Sequence, residues 1–279
     1  MAYNNFIPTV WAEGINRELE KKFVFAEDCN RKYEGDVKEF GDQVRILGVG
    51  SPTITDTEDK DITLGDPEKI EDTSATLIVD HISHFNYKVG DIDKAQAKGN
   101  ILEALHAETS EKLADKMDAH IASLANDASA ILDAASAYQA TADIILEKVD
   151  TALQKLYENN VSPSADIIMT VTPRFYMLMK RAYASLDTNN SGIIKNGKVG
   201  MYGGITVKMS NNVATASAGA VDKIMVRTKR AIAFVNPMTH VEPYRPEKGF
   251  ADAVKGFVLY KAKIIRPKEM IVMNVKYTA

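Results

Sequence analysis

The stretch from Asp91 to Asn126 carries the longest helical periodicity in the chain and constrains what the rest can pack against. Leu102, Leu105, Thr109, Leu113, Met117, Ile121 and Leu124 recur at three- and four-residue steps, which places them on one helix face. Glu103, Glu108, Glu111, Lys112, Asp115, Lys116 and Asp118 fall between them and are expected on the other faces. Asp91 or Asp93 can cap the start by accepting from free backbone N–H groups. A helix reaching residue 126 runs on the order of 50 Å at a rise of about 1.5 Å per residue. Gly99-Asn100 marks a bend or a later start. Such a length exceeds that of ordinary helices in compact domains, so a strut is expected.

The flanks of the strut differ in character. Ahead of it, Pro8 and Thr9 lead into a short amphipathic helix with Trp11, Ile15, Leu19 and Phe23 at four-residue steps. That helix either packs on its own domain or reaches a neighbouring subunit, and the aromatic residues Tyr3, Phe6 and Trp11 suit an interface anchor. Gly41–Gly48 reads as a strand with Val44 and Ile46 on one face. Thr76–Lys88 reads as a second, longer strand, with Leu77, Val79, His81, Ser83, Phe85 and Tyr87 on one face and Ile78, Ile82 and His84 on the other. The segment between the two strands is acidic and punctuated by Pro52, Gly65 and Pro67, so it is either a solvated loop or a long flap. A two-stranded flap is not stable alone in water and needs neighbours to hold it.

Beyond the strut, Ala128–Ala142 reads as a linker, followed by an amphipathic helix over Thr141–Glu158 with Ile145, Val149, Leu153 and Leu156 inward. Asp166–Val171 is a continuous apolar run, the signature of a buried strand. Thr172-Pro173 opens a helix from Arg174 to Ser185 in the cap-then-proline order. A glycine- and asparagine-rich loop covers Asp187–Gly204, and further strands are expected at Ile205–Met209, Lys223–Arg227, Ala231–Val235, Phe257–Arg266 and Met270–Tyr277.

Chemistry is sparse. The 279 residues carry a net charge of −4, which argues against a main task of gripping nucleic acid or an anionic membrane. No apolar run is long enough to span a bilayer, and the first residues lack the layout of a secretory signal. Cys29 is the only cysteine, which excludes an internal disulfide and fits synthesis in a cytosol. Its acidic flank is expected to raise the thiol pKa. His81 and His84 point to opposite faces of a strand, and His106 and His120 stand about four helical turns apart, so neither pair is expected to chelate a metal. Gly197–Gly204 fits neither a dinucleotide fingerprint nor a phosphate loop, and no nucleophile elbow is present. Arg227, Lys229 and Arg230 read as a solvated basic edge. No catalytic residue, cofactor or metal site is expected, and the chain does not read as an enzyme.

The order of parts resembles the major capsid (coat) protein of tailed double-stranded-DNA bacteriophages. The resemblance is carried by FIPTVWAEGINRELEKKFVF (Phe6–Phe25), GDQVRI (Gly41–Ile46), DIDKAQ (Asp91–Gln96), IIMTVTPRFYMLM (Ile167–Met179) and GFVLYKAKIIRPKEM (Gly256–Met270), and covers essentially the whole chain. It implies an α+β fold with an N-arm at 1–34 and an extended two-stranded E-loop at 35–90. A P-domain with its spine helix follows at 91–135, an α/β A-domain at 136–240, and closing P-domain strands at 241–279. The implied function is structural: self-assembly into the pentamers and hexamers of an icosahedral head around double-stranded DNA. DNA would be enclosed without sequence-specific binding, and no membrane is implied. A separate scaffolding protein and a portal would be partners. The chain would be made in the bacterial host cytoplasm and reside in the virion. Candidate contacts between subunits are Phe6, Trp11 and Ile15 on the arm and Leu77, Val79, Phe85 and Tyr87 on the flap. Two other classes stay open at this point: an encapsulin-like shell around a cargo, and an α/β enzyme with a flap insertion. The enzyme would need polar groups converging at the C-terminal end of the Asp166–Val171 strand.

Overall fold

The computed structural model describes residues 23–36, 39–49, 72–90, 101–133, 135–185, 194–195, 198–199, 201–202, 204–216, 220–247 and 251–277. The strut is α1, Ile101–Ser123, a helix of 23 residues spanning roughly 35 Å. It tightens into a 3-10 turn over Leu124–Asp127. The expected helical stretch 91–100 lies outside the described residues, as do the arm residues 1–22 and the acidic segment 50–71.

The buried face of α1 is Ser110, Leu113, Ala114, Met117, Asp118, Ile121 and Ala122, continued by Ala125 in the 3-10 turn. These positions form a stripe wider than the large apolar residues alone indicate, with Leu105, Thr109 and Leu124 half-buried at its margins. The expectation that Asp118 faces outward is therefore corrected: it lies in the seam, 2% exposed. Ser110 is also in the seam and donates its hydroxyl to His106 O at 2.9 Å. On the outer side Glu108 and Lys112 form the expected i,i+4 ion pair at 2.8 Å.

Ahead of α1 come β1 (Gln43–Val49), β2 (Asp72–Ile78) and β3 (His81–Gly90). After it follow β4 (Ile131–Leu132), β5 (Tyr138–Gln139), α2 (Ala142–Glu158), β6 (Ile167–Val171) and α3 (Pro173–Ser185). The short strands β7 (Ile194–Lys195), β8 (Lys198–Val199) and β9 (Met201–Tyr202) lead to β10 (Ile205–Met209), β11 (Thr215–Ala216) and β12 (Val221–Thr228). The chain closes with β13 (Ile232–Tyr244), β14 (Ala251–Ile264) and β15 (Met270–Lys276).

β1 and β2 pair antiparallel as the stem of the flap. An eight-stranded sheet runs β4-β15-β12-β6-β10-β9, with β5 beside β15 and β11 beside β12. A three-stranded antiparallel sheet runs β13-β14-β3. β6 sits between β12 and β10, antiparallel to one and parallel to the other, and all its residues are buried, as its unbroken apolar run requires. α2 turns Ile145, Val149, Leu153 and Leu156 onto that sheet. Its end is fixed by Asn160, which takes the left-handed φ of 61°, while Val161 N–H donates to Leu156 O at 3.2 Å. Ala128–Ala142 is more than a linker, because β4 and β5 lie in it and run parallel to β15. Strands of two residues leave no periodicity to read.

The strand expected over Thr76–Lys88 is two strands, a second correction. It breaks at Val79-Asp80, where β2 ends the flap and β3 begins pairing with β14. Leu77 and Val79 pack with Ile46, Ala233, Val235 and Leu259 on one face of the three-stranded sheet. Phe85 and Tyr87 pack on the other, among Met117, Ile121, Val258 and Tyr260. The last two strands also part: β14 stays with β13 and β3, while β15 crosses into the eight-stranded sheet. α1 bridges them, since its core cluster contains Val254 and Val258 of β14 together with Met225 of β12 and Val272 of β15.

Gly256 is closely approached by its neighbours in the three-stranded sheet. A Cβ there would lie 2.6 Å from His240 O and 2.6 Å from Phe85 Cζ, so the Phe85 ring takes the space that a side chain would fill. Gly256→Ala is expected to cost about 1–3 kcal/mol through overpacking, read as a lower urea midpoint of the soluble subunit with an unchanged slope.

Candidate functional site

The described chain begins with a segment that has little regular structure and is nonetheless buried. Phe23, Phe25, Ala26, Asp28 and Cys29 are all buried. Backbone groups taken out of water must find partners. The Asp118 carboxylate accepts from the N–H groups of Val24, Phe25 and Ala26 at 2.8, 3.2 and 3.1 Å. From the opposite side the Arg227 guanidinium donates to Asp28 O and, at 3.1 Å, to Phe25 O. Arg227 is fully buried, which corrects its expected place on a solvated edge. Lys229 and Arg230 are exposed as expected, the latter 3.5 Å from Glu269. Lys208 of β10 joins Glu27 and Asp28 at 2.7 and 2.6 Å. Burial pushes the Asp118 carboxyl up to about 6, outweighing the backbone N–H groups that favour its charge; Asp115 adds to the rise. Cys29 donates its thiol to Phe25 O at 3.2 Å, and its pKa rises to about 11. The expected direction holds, but the main cause is burial, with the nearby acids secondary.

The second cluster lies where the flap meets the body. Beside the Val79-Asp80 break, Asp80 pairs with Lys261 at 2.8 Å and with His81 Nδ1 at 2.5 Å. The His81 ring lies 4.1 Å from that of His120 on α1, and both pack against Tyr260. His81 and His84 do point to opposite sides, yet His81 meets a histidine 39 residues on, a pairing no local spacing could reveal. His120 is held down to about 4, first by burial and then by the charge of His81. About four helical turns earlier on α1, Tyr87 of β3 bonds His106 Nδ1 at 2.9 Å and ties the same strand to α1 again.

A third group of polar side chains does converge at the C-terminal end of β6. Thr172 Oγ1 donates to Asp222 at 2.8 Å, meets Tyr277 OH at 3.0 Å, and accepts from Phe175 N–H at 3.3 Å. These groups satisfy one another and cap α3, so the convergence is structural. Among the described residues no cluster of metal-ligating side chains occurs. No described helix is long and apolar enough to cross a membrane.

Of the expected contact residues, Phe6, Trp11 and Ile15 lie outside the described set. Leu77 and Val79 are 0% exposed within a single chain, so they seal the flap root and offer nothing to a neighbour. Phe85 and Tyr87 are half-buried against α1, stacked on each other at 5.9 Å. Among the described residues, Ile78 at the end of the flap strand β2 and Ile82 near the start of β3 are exposed, 41% and 49%.

No protein-family model and no curated protein matches the sequence. Solved structures do. A chain of Mycobacterium phage Che8 is 26% identical with a TM-score of 0.73, over 90% of each chain. A chain from the capsid of the cyanophage P-SCSP1u is 14% identical with a TM-score of 0.69, over 92% of this chain and 88% of that one. A chain from the mature capsid of bacteriophage PhiM1 is 17% identical with a TM-score of 0.64, over 92% and 87%. The fold is that of the major capsid proteins of tailed bacteriophages, α+β with flap, strut and sheets in the order described.

The Asp118 carboxyl yields a pH test. Its folded pKa is raised from 3.8 to about 6, so between these values the folded state keeps a proton that the unfolded state has lost. Its contribution to stability therefore falls as pH rises through that window and is level above it. His120, depressed toward about 4, acts with the opposite sign. The difference between the parent and Asp118→Asn isolates the carboxyl. Across pH 4 to 6 the parent is expected to lose stability relative to the variant, and at neutral pH the variant is expected to be weaker by about 1–3 kcal/mol from imperfectly satisfied N–H groups. Urea titrations at a series of pH values read both.

Proposed function

We propose that this chain is the major capsid protein of a tailed bacteriophage, a structural subunit whose copies form the pentamers and hexamers of an icosahedral head. The observation that carries this is the match to the Che8 phage chain over nine-tenths of both chains. The physical features agree. The flap stem is a lone pair of strands rooted through Ile46, Leu77 and Val79, and such a ribbon needs neighbours to be stable. Ile78 and Ile82 offer those neighbours apolar surface. The polar convergence at β6, which an enzyme would need open, is consumed internally. In this reading the protein has no catalytic role. It is made in the host cytoplasm, assembles with a separate scaffold around a portal, and encloses double-stranded DNA without reading its sequence.

Expression in a bacterial host with the neighbouring genes, followed by sedimentation and electron microscopy, tests the proposal. Closed particles or capsomer rings are expected, with nuclease-protected DNA in particles recovered from infected or induced cells. A monomer under all these conditions would overturn the shell, and particles filled with a dedicated protein cargo would replace the DNA head by a cargo compartment.

A further inference from the structure

α2 and α3 lie over one sheet face, and their outward surfaces carry opposite charge. On α2, Asp150, Leu153, Gln154, Tyr157 and Glu158 line an open groove. Leu153 forms its floor, Tyr157 is 37% exposed, and the two acids stand at its ends, separated along the axis by roughly 12 Å. On α3, Met177 is 56% exposed at the rim of a hollow that also involves Leu178 and Tyr277. Arg174 and Arg181 flank it, one before and one after, spaced along the axis by roughly 10 Å. Arg174 lies over the Tyr277 ring at 5.0 Å, which fixes its direction without neutralising it.

Among the described residues none of the four charges has an ion-pair partner. Among the described residues Arg174 and Arg181 have no carboxylate partner, and Asp150 and Glu158 have no cation. Asp150 accepts from Tyr202 OH and Glu158 from Gln154 Nε2, each at 2.8 Å. Each surface thus has apolar side chains between two like charges, at similar axial spacing and with opposite sign. We propose that the α3 patch of one copy docks on the α2 groove of the next, as a contact between adjacent subunits. In the ring proposed here the contact is heterologous, the α3 patch of each copy meeting the α2 groove of the next. Met177 meets Leu153 and Tyr157 as the apolar part of the contact, and the flanking pairs set register and speed encounter.

The inference rests on the shell reading, and charge exchange tests it separately. Arg174→Glu with Arg181→Glu, and Asp150→Lys with Glu158→Lys, are each expected to lower particle yield at least ten-fold. All four substitutions in one chain are expected to restore particles, because every interface then carries both reversals. Arg174→Gln with Arg181→Gln is expected to assemble more slowly and to lose the salt dependence of the parent's assembly rate. Near-UV circular dichroism of the subunits confirms that each variant is folded. Parental yields from either charge-reversed pair, or folded four-fold variants that stay unassembled, would overturn this contact and leave the shell reading standing. Failure of the parent itself to form particles would remove the shell, and this contact with it.

Discussion

The fold depends on a short irregular peptide held by two buried charges. Phe23–Asn30 lacks a helix or strand long enough to satisfy its own backbone, so Asp118 takes its N–H groups and Arg227 its carbonyls. Those two side chains come from α1 and β12. Asn30 adds a third attachment, exchanging backbone bonds with Ile232 and Phe234 of β13 at 2.8 and 3.0 Å. Helix, eight-stranded sheet and three-stranded sheet are therefore joined through one segment. Removing one of the charges would leave the other buried beside unpaired backbone, which is the costly direction in which to break such a network.

α1 does for the apolar core what this peptide does for the polar one. Its buried stripe contacts strands of both sheets, so neither sheet completes its core without it. α2 and α3 cover a separate cluster on the eight-stranded sheet, and their outer surfaces still carry exposed apolar side chains such as Tyr157 and Met177. The flap root forms the smallest cluster, on the far face of the three-stranded sheet. The parts most exposed to a partner are thus those least needed for the body's own stability.

What could be read from the sequence was what periodicity writes. α2, β6 and α3 follow from local apolar spacing and from the Thr172-Pro173 cap, and each lies within a residue or so of its expected place. The existence of α1 was equally legible. The identity of its seam was not, because Asp118 looks like any surface acid until the segment lying 94 residues earlier is brought to it. Arg227 was misread for the same reason, its acceptors being 199 and 202 residues away. The break at Val79-Asp80 has no glycine or proline to announce it. It is imposed by Leu77 and Val79 packing on Val235 and Leu259 while Phe85 and Tyr87 turn to α1. The partial likeness to a known order of parts supplied the architecture that spacing alone could not.

The two legs of the flap are moored differently. β1 leaves the peptide gripped by Asp118 and Arg227 after a short connection, whereas β2 runs almost directly into β3, which is stitched to α1 through Tyr87 and His106. A pull on β1 and β2 is consequently divided between two anchorages that converge on the same helix, Asp118 towards its end and His106 nearer its start. In a wall strained from within, tension would spread along the length of that helix, and a single joint would not have to bear it alone.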